Sequence, residues 1–503
     1  MIADVPHRID PSHPLPVLFI VKDAHRFPVI LDRLAVDLHQ HGQKHRLLEH
    51  NFQDMVIDKP MWSRLFHIPI PDTVLGKVKV DVQFSGKIDN KMHRFHNDNY
   101  RQTEHEPFDV LIDTETLPKA ENWYFGDLHY HSDFTSDQVE FGAPLEVTAE
   151  IAKAMGLDFM AVTDHSYDLD DHFHDYLKND PANGKWHALQ QKVQDINSRA
   201  KDFIILPGEE LSAGNAKNQN VHFLLINNPE FFPGSGDSAE RWFRTAPQFQ
   251  IKDVLGKLRK DALAFSAHPE ITPPFLQRML IRRGKWLDSD YQSPRLNGMQ
   301  IWNGKKDRFF EAGIKKWVDL LLQGKRISII AGNDAHGNFG RFRQIGFPFI
   351  SMRENDSEIF ALARTGVYLP NGFGADKISE ALRSGRSIVT DGPFARVTLS
   401  ENEKSWYIGD CFPSASALLK FVVLSSENFG AIKSVALLVG NVAGKKEIRR
   451  YFFKPPSGSY QFEAEKFVAD LPVRGYIRLD VISTQNGKIF RCLTNPIYID
   501  QTT

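Results

Sequence analysis

The pattern of apolar and polar positions changes twice along the chain. Up to about residue 118, apolar residues come in short runs: PVLFIV at 16–21, LFHIPIP at 65–71, KVKVDVQFSG at 77–86 and FDVLID at 108–113. In KVKVDVQF, Val78, Val80 and Val82 fall on one face of an extended strand. Only LDRLAVDLHQHG at 31–42 has helical spacing. The pattern predicts a β-sandwich-like domain over 1–118, followed by a polar linker, DTETLPKAEN, at 113–122.

From 122 to 392 strand-like and helix-like segments alternate. YFGDLHYH, DFMAVTDH, FIILPGEEL, NVHFLLIN, LAFSAHPE, GMQIWNG and RISIIAGNDAH read as strands. PLEVTAEIAKAMG at 144–156 opens on a proline, closes on a glycine and has helical spacing between. KWHALQQKVQDINSRA, IKDVLGKLRKDA and a segment near 311–323 are further helices. Repeated strand–helix units predict a parallel sheet, and this many suggest an α/β barrel. The polar stretch at 166–183, containing YDLDDHFHDY, is a candidate lid. Beyond 393 the helices fade, and ARVTLS, ALLKFVVLSS, SVALLVG and GYIRLDVIS predict a second β-sandwich-like domain over 393–503.

Composition narrows the classes. Lys+Arg number 61 against Asp+Glu 63, for a net charge of −2, so no basic excess calls for nucleic acid or a membrane, although a local patch can hide in a balanced total. No apolar run approaches a membrane span. The start, MIADVPHRIDPSHPLPVLFIVKD, lacks the basic-then-apolar pattern of a signal peptide. The two cysteines, Cys411 and Cys492, allow at most one disulfide. A cytoplasmic protein is the expectation, with oligomerisation through the β domains open.

The chemistry lies at the strand ends. The first strand of the middle region carries Asp127, His129 and His131, and residues two apart in a strand share a face. The next ends in Asp164–His165, the third carries Glu209–Glu210, and His222, His268 and the Asp334–His336 pair follow on later strands. Parallel barrels gather their sites at the C-terminal strand ends, so these residues would converge. The donors are nitrogen and oxygen without cysteine, which suits zinc, manganese or iron. Any one of these residues has an ordinary reading, such as a core histidine or a carboxylate cap. Burying the whole series without cations would be costly.

DLHYHS at 127–132, TDH at 163–165, PGEE at 207–210, His222, AHP at 267–269 and DAH at 334–336 resemble the polymerase-and-histidinol-phosphatase (PHP) metallohydrolases. The closing ALRSGRSIVTDGP at 381–393 resembles the branch that includes the carbaryl hydrolases. The resemblance implies a distorted seven-stranded β/α barrel with two or three divalent ions. By motif, His129, His131, Glu210 and Asp334 would hold one ion. Glu210 would bridge to a second held by His222 and His268. Asp137, His165 and His336 would hold a third. The family's usual HSxxSDG appears here as HSDFTSDQ, one residue longer and without the glycine, so Asp133 competes with Asp137. Asp127, Asp164 and Glu209 would orient ligands rather than bind ions.

The reaction implied is hydrolysis of a small phosphoester by a metal-activated hydroxide. Arg341 and Arg343 are candidate phosphate contacts, Asn303 a candidate substrate contact, and His172 or His174 a candidate proton donor. Hydrolysis of a carbamate or carboxylic ester on the same centre is the alternative. Phe134, Phe173, Trp186, Trp302, Phe339 and Phe342, near the motifs, could line an apolar pocket for it. A non-catalytic metal-binding module is a further reading.

Overall fold

The computed structural model describes every residue except 12, 101, 102, 104, 137–139, 174, 235, 237, 239–244, 347–350, 356 and 503; for 342–346 and 351–355 it describes the backbone alone. Strand far outweighs helix among the described residues.

The strands that carry the site are β1 (Trp123–His131), β2 (Phe159–Val162), β3 (Ile204–Gly214), β4 (Asn220–Ile226), β5 (Leu263–Ser266), β6 (Gly298–Asn303), β7 (Ser328–Gly332), β8 (Ala335–His336), β9 (Arg364–Tyr368) and β10 (Ser387–Thr390). They belong to one mixed sheet in which the order β7-β6-β5-β4-β3-β2-β1-β9-β10 continues into Lys488–Thr494, Arg474–Gln485, Ala431–Asn441 and Lys446–Phe453. The two residues of β8 pair in parallel with β1, Tyr130 against Ala335 and His131 against His336.

This corrects the expected α/β barrel with separate flanking sandwiches. The strand path does not close into a ring of parallel strands. β3–β4 and β4–β5 are antiparallel pairs, as are β1–β9 and β9–β10. The reason at β3–β4 is chain length. Only residues 215–219 separate the two strands, and a parallel return needs a crossover of a dozen or more residues. At the far end β10 pairs with Lys488–Thr494, Ile388 opposite Thr494, so the sheet runs on into the C-terminal region instead of closing.

The helices expected in the middle region form, the one at IKDVLGKLRKDA as Ile251–Lys257, and a short one at 275–280 is added to them. Helix α1 (Leu145–Ala154) follows Pro144 and buries Leu145, Thr148, Ala149, Ile151 and Ala152. Helix α2 (Gly184–Arg199) buries Trp186, Leu189, Val193 and Ile196 at helical spacing. Helix α3 (Phe275–Leu280) is short, and none of its residues is buried. Helix α4 (Arg308–Leu322) is capped by Asp307, whose carboxylate accepts from the Phe309 and Phe310 amides at 2.8 and 3.0 Å.

In the N-terminal region a three-stranded and a six-stranded sheet share one core that includes Val17, Phe19, Leu34, Val36, Val80 and Val82. LDRLAVDLHQ is not helical there; it lies in the strand Val29–Gln40. Against Gly76–Ile88 a bulge between Leu31 and Arg33 inserts a residue, so buried Leu31 and Leu34 stand three apart and imitate a helical step. The candidate lid is a short helix, Ser166–Leu169, and a hairpin pairing Asp171–His172 with Asp175–Asn179.

Two glycines let the strands close on the site. A Cβ at Gly126 would lie 2.5 Å from the Phe159 ring. One at Gly332 would lie 2.6 Å from the His129 nitrogen and Cβ, so only glycine lets β7 approach β1 beside that histidine.

Candidate metal centre

His129 and His131 project from the same face of β1, fully buried, with their Nε2 atoms 3.1 Å apart. Glu210 enters from β3. Its Oε2 lies 3.3 Å from His129 Nε2, 3.5 Å from His131 Nε2 and 3.0 Å from His165 Nδ1. Its other oxygen, Oε1, lies 2.6 Å from His222 Nδ1 and 3.2 Å from His268 Nε2. Asp334 follows β7 with a left-handed backbone, φ 55°. Its Oδ1 sits 3.0 Å from His131 Nε2 and 3.4 Å from His129 Nε2, and its Oδ2 sits 3.7 Å from His268 Nε2. The His131 and His336 rings stack at 4.1 Å, with the His165 ring 4.2 Å from His131.

Three overlapping groups result: His129, His131, Glu210 and Asp334; His165, Glu210 and His222; and His131, His165 and His336. Within each, the ligand atoms all lie within 4.8 Å of one another. His268 joins through Glu210 and Asp334. The six histidines and two of the three carboxylates named from the sequence, Glu210 and Asp334, are thus brought together. Asp137 lies outside the described residues. Glu140, three residues later in the same loop, is 3.6 Å from both His165 Nε2 and His336 Nε2. Asp133 joins none of the three groups; burial, with Asp164 nearby, pushes its carboxyl up to about 7.

The centre is held from behind. Asp127 accepts hydrogen bonds from the Asn333 side chain at 2.6 Å and from the amides of His129, Asn333 and Ala361. It ties β1 to the loop after β7; burial raises its carboxyl to about 6 despite these donors. Asp164 accepts from the Ser132 amide and hydroxyl, each at 2.7 Å, and from the Thr135 amide, which fixes the turn after His131. Glu209 points the other way from Glu210, as neighbours in a strand must, and meets the Phe232 amide at 3.2 Å.

Two ring orientations are set by partners. His129 Nδ1 faces Gln300 Oε1 at 2.8 Å, and His336 Nδ1 faces the Asp334 carbonyl at 3.0 Å. Both arrangements place a proton on Nδ1 and turn Nε2 toward the cluster, where its lone pair could serve an ion in place of a proton. Gln300 also donates to Asn303 at 3.0 Å, and Asn303 to Asp334 at 3.3 Å. Asn303, a candidate substrate contact, therefore positions Asp334.

The charges fit a cation. Burial works against ionising Glu210, but His222 and His129 outweigh it and hold the carboxyl well below its usual range. Asp334 is likewise held low, with His129 and His131 outweighing burial. Burial also opposes charge on His129, yet Glu210 and Asp334 raise it to about 9. The carboxylates thus draw positive charge into a dry site. Among the described residues, His131 Nδ1 and His336 Nε2 are buried without a hydrogen-bond partner, and Glu210 Oε2 is crowded by three imidazoles at 3.0–3.5 Å. Orphaned acceptors on a nitrogen-and-oxygen donor set are what a divalent ion would satisfy.

The described outlying candidates, Arg341 and His172, have other surroundings. Arg341 donates to the Glu106 carbonyl at 2.8 Å and sits over Phe108, so it binds the N-terminal sheet. His172 is exposed beside Phe173, Asp175 and Lys178. The Arg343 and Phe342 side chains and His174 lie outside the described residues. Trp186, Trp302 and Phe339 are core residues, and Phe134 packs against the core; Phe173 is exposed. Sequence reasoning missed Gln300, Glu140, Arg283 and Glu358. Arg283 places a guanidinium nitrogen 3.1 Å from His222 Nδ1. Burial, then Asp334 and Glu140, push the Glu358 carboxyl well up.

No family model matches the chain, and no curated protein does. Among solved structures the chain is similar to a glycosyl hydrolase family 2 member from Bacteroides cellulosilyticus DSM 14838, at 8% identity and a TM-score of 0.17 over 100% of this chain and 63% of that one. It is also similar to a β-glucuronidase from Parabacteroides merdae, at 8% identity and TM-score 0.19 over 99% and 64%. A third is β-glucuronidase 2 from Bacteroides uniformis, at 7% identity and TM-score 0.17 over 99% and 61%. The chain thus spans less than two thirds of the length of each of these, and likeness at such TM-scores transfers neither fold nor activity. No helix among the described residues is long and apolar enough to cross a membrane.

Proposed function

We propose that the protein is a metal-dependent hydrolase acting on small phosphoesters, with two or three divalent ions (zinc, manganese or iron) at the Glu210 cluster. The observation that carries the reading is Glu210 itself. One of its oxygens faces His129, His131 and His165, and the other faces His222 and His268. A carboxylate shared in this way between two histidine groups is suited to bridge two ions. The order of the ligands along the chain supports a relation to the PHP hydrolases in the ligand set, without their barrel.

Bound there, divalent ions would acidify water and polarise an ester oxygen. The chain's own residues do the rest. Gln300 fixes His129, and Asn303 fixes Asp334. His129, His131 and Glu210 are wholly shielded from solvent, whereas the Asp334 and His268 side chains are 18% and 10% exposed. Substrate therefore approaches from the side of Asp334 and His268. Arg283, beside His222, offers positive charge on that side and favours a phosphate over a neutral carbamate or carboxylic ester.

The test is a paired assay of manganese- or zinc-loaded protein on an aryl phosphate and the matched aryl carbamate. Turnover of the phosphate is expected. Turnover of the carbamate alone would replace the phosphoesterase reading with the ester-hydrolase one. Stoichiometric metal with no turnover of any ester would favour a binding module.

A further inference from the structure

Helix α3 exposes four large apolar side chains within six residues. Pro273 and Pro274 introduce it, and Phe275, Leu276, Met279 and Leu280 are 66%, 48%, 59% and 49% exposed. With none of its six residues buried, the helix stands out from the surface and presents large apolar side chains to solvent. Such a cluster marks an interaction site.

Its foundation is firm. The chain just beyond it is pinned to Asn220 of β4: the Asn220 amide donates to the Arg282 carbonyl at 2.9 Å, its side chain to the Ile281 carbonyl at 2.9 Å, and the Gly284 amide to the Asn220 carbonyl at 2.8 Å. His222 lies two residues along the same strand, and His268 lies seven residues before Phe275. The exposed helix is therefore mounted at the edge of the histidine cluster.

Charge identifies the occupant. Between Glu270 and Asp288 there is no acidic residue, while Arg278, Arg282, Arg283 and Lys285 lie within the segment FLQRMLIRRGKW. Arg278 and Arg282 are exposed and make no ion pair among the described residues, Arg278 lying over the Phe275 ring at 5.9 Å. Lys285 pairs with Glu270 at 3.3 Å. A short helix with apolar side chains outward and cations at its C-terminal end suits the headgroup–acyl boundary of an anionic bilayer. A second copy of the chain fits poorly, because a two-fold contact would set these cations against their own equivalents.

We propose that α3 and the Arg278–Lys285 segment dock the protein on an anionic phospholipid surface, bringing the opening at His222 and His268 to the headgroup plane. The docking is independent of the reaction proposed above. The full chain is tested by co-sedimentation with phosphatidylserine–phosphatidylcholine vesicles and with phosphatidylcholine alone. Binding is expected to the mixed vesicles, weakening as salt is raised. A Phe275→Ser/Met279→Ser variant and an Arg278→Glu/Arg282→Glu variant should each lower binding by about tenfold or more with an unchanged thermal midpoint. Three results would overturn the proposal: protein left in solution with both vesicle types, variants that bind like the wild type, or a self-associated species in sedimentation velocity that Phe275→Ser/Met279→Ser disperses.

Discussion

At the scale of the residue, the centre depends on which imidazole nitrogen faces inward. Gln300 holds His129 with Nε2 toward Glu210 and Asp334. Gln300→Leu keeps the bulk and removes the acceptor, so metal affinity should fall about 10–100-fold with little change in fold. Competition against a fluorescent chelator measures this, and unchanged affinity would remove Gln300 from the design. The clustered histidines and carboxylates were legible in the sequence because their types and spacing form a series: His129 and His131 two apart, then a His or carboxylate at successive strand ends. Gln300 was not, because GMQIWNG is an apolar run in which one amide reads as an incidental core residue. Glu140 was hidden by the irregular HSDFTSDQ segment, which drew attention to Asp133 and Asp137. Arg283 lies in a loop brought to His222 by the Asn220 pairing and by Trp286, whose Nε1 donates to the His222 carbonyl at 3.0 Å.

At the scale of the element, strand identity was more readable than strand pairing. The strands carrying HxH, TDH and GEE are where periodicity puts them, and α1, α2 and α4 form where helical spacing predicts. Pairing depends on what separates the strands and on packing. The five residues at 215–219 impose an antiparallel turn, and the pairing of β10 with Lys488–Thr494 joins residues more than a hundred positions apart, such as Ile388 and Thr494. The bulge at Leu31/Arg33 shows the converse error, in which one inserted residue makes a strand look helical. The close approach of β7 to β1 gives an element-scale prediction. Gly332→Ala places a Cβ 2.6 Å from the His129 backbone and should cost about 1–3 kcal/mol. It should also loosen metal binding, since β7 carries Asp334 behind it. Chemical denaturation together with metal titration checks both, and a stable variant with intact affinity would show that the two strands can separate freely.

At the scale of the whole molecule, the N-terminal region is tied to the centre's surroundings. The His7 amide donates to the Phe339 carbonyl at 3.0 Å, and its ring Nε2 meets the Phe360 carbonyl at 3.2 Å. Burial, then the nearby charges of Arg8 and Arg364, lower this histidine from 6.5 to about 3. Between those values the unfolded chain binds the extra proton, so the neutral ring's contribution is complete above 6.5 and is lost as pH falls toward 3. The thermal midpoint of His7→Gln should therefore decline less steeply than the wild type's over that window. Parallel curves would exclude His7 as a source of acid sensitivity. Metal should also act globally. An ion held at about a thousand times its Kd adds about 4 kcal/mol, so chelation should lower the thermal midpoint by several degrees. The basic patch at 278–285 illustrates a limit of composition: a net charge of −2 conceals four cations in one short segment.

The central claim is that Glu210 joins two histidine groups into one multinuclear metal centre. Its most direct test is the metal content per chain, by plasma mass spectrometry, of wild type and Glu210→Gln after loading and desalting. The wild type should retain two or three ions and Glu210→Gln at most one, with the variant still folded by circular dichroism. A wild type without stoichiometric metal, or a Glu210→Gln protein that keeps the full complement, would contradict it.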